Sequence, residues 1–126
     1  MDAHFSVEAD PARDLIRIRL SGSLTPEATS RFFAAYREAL GRLRCGPNRH
    51  VTIADARDMA IQTQDLVGRF QAMLADPTYR SRRLAIVTPS ALARLQTHRV
   101  IGERDARFFS NLAEAEAWAL EPNSTT

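Results

Sequence analysis

The residues best placed to do chemistry are Asp55 and Asp58, close together after the apolar run Val51-Thr52-Ile53-Ala54. Two carboxylates at that spacing are the raw material of general acid–base catalysis or of a cation site. The ends of strands in an α/β sheet are also where ligands bind. The simpler reading is that each is a strand-end loop acid. His4, His50 and His98 are far apart, and the single cysteine, Cys45, has no His or Cys partner at metal-ligand spacing. Cys45 follows Arg44 and precedes Gly46-Pro47, so it reads as an incidental loop residue; being single, it cannot form an internal disulfide. His98 lies near a helix end, where a cation suits the negative pole. The five glycines form neither GxGxxG nor GxxxxGK, and no Gly-x-Ser-x-Gly elbow occurs. The expectation is therefore no catalytic residue, no metal and no cofactor.

The charged residues sharpen this. All 17 basic residues are arginine, and the net charge is only +2. Arginine suits bidentate contact with carboxylate or phosphate, although codon bias accounts for the absence of lysine more simply. Residues 80–107 hold seven arginines (Arg80, Arg82, Arg83, Arg94, Arg99, Arg104 and Arg107) against Glu103 and Asp105. Residues 50–79 are acidic on balance, with Asp55, Asp58, Asp65 and Asp76 against Arg57 and Arg69. The arginine-rich stretch lacks interleaved aromatics and any nucleic-acid motif, so a solvated face is expected and nucleic acid is not.

These residues need a scaffold, and 126 residues with 44% hydrophobic content suffice for one core. A single domain over 1–121 with a flexible tail at 122–126 is expected. No apolar run approaches the ~20 residues that span a bilayer, and the first residues lack a signal-peptide pattern, so the cytoplasm is the expected location. Phe5 and Val7 alternate with polar neighbours, Asp10-Pro11 turns the chain, and Ile16, Ile18 and Leu20 alternate with Arg17 and Arg19. That reads as a β-hairpin with one wet face. Thr25-Pro26-Glu27 starts a helix that runs to about Leu43, with Phe32, Phe33, Tyr36, Ala39, Leu40 and Leu43 as its stripe, stopped by Cys45-Gly46-Pro47-Asn48. His50–Asp55 is a third strand. A polar loop from Arg57 to Gln62 leads to a second helix carrying Leu66, Val67, Phe70, Met73 and Leu74. Arg83–Thr88 is a fourth strand, apolar enough to be buried on both faces. Pro89 opens a third helix that Gly102 breaks, Arg107-Phe108-Phe109 is a fifth strand, and Asn111 caps a last helix with Glu114 three residues on. The order is β-β-α-β-α-β-α-β-α: an α/β fold with one mixed, mostly parallel five-stranded sheet, an edge hairpin and about four helices.

Three stretches carry a resemblance. Leu15–Thr25 resembles the opening strand and "sGxLt" exit of the STAS family of bacterial anti-sigma-factor antagonists. Val51–Asp55 resembles its strand ending in aspartate, and Phe108–Ala115 its closing strand and helix. The likeness is to the SpoIIAA-like branch related to CRAL-TRIO domains, spans nearly the whole chain, and implies fold much more than function. STAS antagonists carry a phosphorylatable Asp-Ser-Ser/Thr-Gly motif before the second helix. Here that place holds Thr63-Gln64-Asp65-Leu66. Asp65 could stand where a phosphate would go and Thr63 could be phosphorylated, but a Thr63 cap with Asp65 on the helix dipole is simpler.

The resulting expectation is a non-enzymatic regulatory or protein-interaction module binding a protein partner through Arg57, Asp58, Gln62, Thr63, Gln64 and Asp65. The alternative is a small-molecule or lipid-binding domain with an apolar cavity near Phe70 and Met73. The oligomeric state is left open, a dimer among the options.

Overall fold

A computed structural model of the chain describes residues 4–22, 24–45, 49–59, 68–69, 72, 76, 80–88 and 106–121. Its elements are β1 (His4–Asp10), β2 (Leu15–Gly22), α1 (Pro26–Gly41), β3 (Val51–Met59), β4 (Arg83–Val87), β5 (Ala106–Phe109) and α2 (Leu112–Ala119). The five strands form one sheet in the order β1-β2-β3-β4-β5. β1 and β2 pair antiparallel, and the other three pairings are parallel. The expected hairpin is therefore present, with β1 at the edge. Its turn holds Asp14 at φ 51°, a left-handed conformation that aspartate tolerates better than most residues.

The alternation read in β2 sends its side chains to opposite faces. Ile16, Ile18 and Leu20 join Ala28, Phe32, Tyr36 and Ala39 of α1 in one buried cluster. Leu15 lies on the opposite face with Val51, Ile53, Ala85 and Val87, beneath Ala115 and Ala119 of α2. Leu84 to Val87 are all buried, as the apolar run predicted for a strand covered on both sides.

Both described helices begin where their caps lie. Thr25 accepts a hydrogen bond from the Ala28 amide at 3.1 Å, with proline at the first helical position. Asn111 accepts one from the Glu114 amide at 2.8 Å. α1 ends at Gly41, earlier than Leu43, with the Arg42 amide closing its last turn on the Ala39 carbonyl. Of the two middle helices expected from the sequence, Gly68, Arg69 and Ala72 are helical, and the remaining positions lie outside the described residues. Two helices thus stand among the described elements where about four were expected.

Candidate functional site

The face opposite α1 changes character across the sheet. Register places Glu8, Arg17, Ile53, Ala85 and Arg107 in one row, and Ser6, Arg19, Asp55, Val87 and Phe109 in the next. The rows run from polar on β1 and β2 to apolar on β4 and β5. α2 packs on β3, β4 and β5, where its two buried alanines meet apolar partners. Ser6, Glu8 and Arg19 are left exposed. The result is a polar shelf beside α2 with an open depression of about 250 Å³, lined by Ser6, Glu8, Arg17, Arg19, Ile53, Asp55, Arg57 and Leu112.

β3 completes the shelf. The expected loop from Arg57 is corrected at its start: β3 continues through Met59, so Arg57 and Asp58 are strand residues. Arg19 pairs with Asp55, and Ser21, two residues on, pairs with Asp58, three on; the extra residue in β3 is a β-bulge. Asp55 and Arg57 share the shelf face by ordinary alternation, and the bulge turns Asp58 to that face as well. Arg57 grips Asp55 with a fork, Nε to Oδ1 at 2.9 Å and Nη2 to Oδ2 at 2.8 Å. Hydrogen bonds from the Arg57 side chain and amide hold the Asp55 carboxyl below the ordinary carboxylate range, against the opposing effect of burial. Asp58 meets Arg19 at 3.3 Å, both side chains being 64% exposed, a pair too wet to contribute much stability. Arg17 forms a half-buried ion pair with Glu116 of α2.

Each of the two carboxylates is engaged by an arginine, and the Arg57 fork disfavours proton uptake by Asp55. Among the described residues no cluster of three or more His, Cys, Asp or Glu could hold a metal. Cys45 is half-buried after α1; burial and the nearby Asp14 carboxylate push its thiol up, the wrong direction for a nucleophile.

Of the partner-binding residues expected from the sequence, Arg57 and Asp58 stand on the shelf. Gln62, Thr63, Gln64 and Asp65 lie outside the described residues, as do Phe70 and Met73 of the expected apolar cavity and Arg94, His98, Arg99 and Arg104. Arg83 and Arg107 of the basic region both lie over the Trp118 ring, 5.2 and 5.1 Å from its centroid. Arg83 also donates to the Trp118 carbonyl at 2.6 Å, closing the C-terminal end of α2.

Sequence reading missed Ser6, Glu8, Arg17, Arg19 and Glu116 as shelf residues. The signal was available in part: Arg17 and Arg19 alternate on the wet face of β2, and the hairpin register sets Glu8 opposite Arg17. That α2 would leave this half of the sheet uncovered was not.

The chain matches no protein-family model and no curated protein sequence. Its structure is similar to that of an uncharacterised DUF3478-family protein with a SpoIIAA-like fold from Shewanella loihica PV-4, with a TM-score of 0.74 and 14% sequence identity over 94% of this chain and 96% of that one. The chain thus has the SpoIIAA-like fold that its sequence resembles. No described helix is long and apolar enough to cross a membrane.

Proposed function

We propose that this is a non-enzymatic regulatory module that binds a protein partner through the shelf formed by β1, β2 and the bulged end of β3. One observation carries the reading: the side chains with acid–base potential, Asp55 and Asp58, are held in arginine pairs on an open surface. Such pairs give up little when a partner exchanges one member for a carboxylate of its own, and arginine forks select planar acidic groups. Complementary charge of this kind fixes partner and register more than it adds affinity. The departure from the Asp-Ser-Ser/Thr-Gly motif fits a module not switched by phosphorylation at that position. Cytoplasmic location belongs to the same proposal. The depression lined by arginines and acids does not favour an apolar ligand there.

The test compares immobilised protein with two variants in capture from its own cell. Arg19→Glu with Arg57→Glu reverses the shelf, while Arg42→Glu alters an exposed arginine at the end of α1, outside it. The shelf variant should lose its partners, with an affinity fall of about tenfold or more for each identified binder, and the α1 variant should keep them. Equal retention by both would overturn the proposal.

A further inference from the structure

β1 ends the sheet, and among the described residues no strand lies beyond it. The phase of its hydrogen bonds follows from the next ladder. The Val51 amide donates to the Asp14 carbonyl at 2.9 Å, so even-numbered residues of β2 turn their backbone groups to β3 and odd-numbered ones to β1. Leu15, Arg17 and Arg19 stand opposite Asp10, Glu8 and Ser6. Those pairs exchange bonds, and by alternation Phe5, Val7 and Ala9 direct their N–H and C=O groups outward. The same three side chains lie on the face covered by α1, yet each is only half-buried against the core. Natural edges are blunted by proline, charged side chains (lysine above all), short length or covering elements; the charges of β1, Glu8 and Asp10, both stand on the shelf face. β1 is seven residues long and contains neither proline nor lysine.

From this edge we infer that the chain forms a two-fold dimer in which β1 pairs antiparallel with β1 of a second copy, making one continuous sheet. One register pairs the strand along its whole length. Val7 then faces Val7, Phe5 faces Ala9, and every outward backbone group meets another. On the shelf side His4 faces Asp10 and Ser6 faces Glu8, so an imidazole meets a carboxylate and a hydroxyl meets a carboxylate, with no like charges opposed. Sliding two residues toward the turn sets Glu8 against Glu8. Sliding the other way places Ala9 and Asp10 opposite residues outside the strand. The occupant that fits this edge in both charge and length is therefore the edge itself. Ser6 and Glu8 also line the depression, so the two shelves meet across the two-fold axis as one surface.

Sedimentation equilibrium of the full chain from micromolar to millimolar concentration should show a reversible rise to twice 14.1 kDa. Amides of Phe5, Val7 and Ala9 should exchange slowly in the dimer and quickly on dilution. Val7→Pro deletes an outward N–H and leaves the β1–β2 ladder intact; it should be monomeric with an unchanged circular dichroism spectrum. His4→Asp should weaken association about tenfold, because symmetry counts the repulsion twice, and adding Asp10→His should restore it. If Val7→Pro fails to fold, the charge swap decides. A monomer at every concentration, or a dimer insensitive to the charge swap with Phe5, Val7 and Ala9 exchanging freely, would overturn the inference. None of these readouts involves the shelf's partner, so the dimer and the partner surface stand or fall separately.

Discussion

The hydroxyl of Tyr36 lies 3.0 Å from His50 Nε2 and 3.0 Å from Thr52 Oγ1, and all three residues are buried between α1 and β3. A polar group in such a place is retained only if its bonds are made, so Tyr36→Phe removes one hydroxyl and two contacts at once. The expected loss is about 1–3 kcal/mol of unfolding free energy in urea titration. Phe32 works by shape instead: 2% exposed, it meets the rings of Phe5 and Tyr36 edge-on. Phe32→Ala should cost about 3–5 kcal/mol in the same assay. Asp55 adds a pH term. Its carboxyl is held below the ordinary range in the folded chain, so it binds fewer protons than the unfolded one. The stability it confers is complete above the unfolded aspartate value of about 3.9 and is lost as pH falls from there through the folded value. Urea midpoints should drop over that acid limb, and Asp55→Asn should make the drop shallower.

The elements separate what is written locally from what is not. Thr25 and Asn111 announce the starts of α1 and α2 within a few residues, because a cap needs only its own first turn. Replacing either by alanine should lower stability by about 1 kcal/mol in thermal denaturation. The hairpin and the two faces of β2 are legible for the same reason: alternation is a property of neighbours. Gly22 is a case in between. It closes β2 at φ 71° and is buried there, so Gly22→Ala should cost about 1–2 kcal/mol. The end of β3 is the counterexample. Arg57 to Met59 reads as the start of a polar loop because one side of it faces solvent and the bulge breaks the period of two. It is a strand only because Ser21 and Gly22 are there to pair with it. The Arg17–Glu116 contact joins residues 99 apart in the chain, and no window along the sequence contains both.

At the scale of the molecule, the two faces of the sheet divide the work. Among the described residues, α1 packs on the apolar face over β1 and β2, while α2 covers the apolar half of the other face and leaves Ser6, Glu8 and Arg19 of the wet alternation exposed. Fold and site therefore differ in legibility: the sheet follows from patterns repeated along the chain, the shelf from where one short helix stops. That helix also carries the sole tryptophan, with Arg83 of β4 and Arg107 of β5 over its ring. The chain thus has a built-in optical reporter. Light emitted by this single indole should redden and change in intensity when α2 lifts from the sheet, so a spectrometer can follow the undocking of one helix without any label.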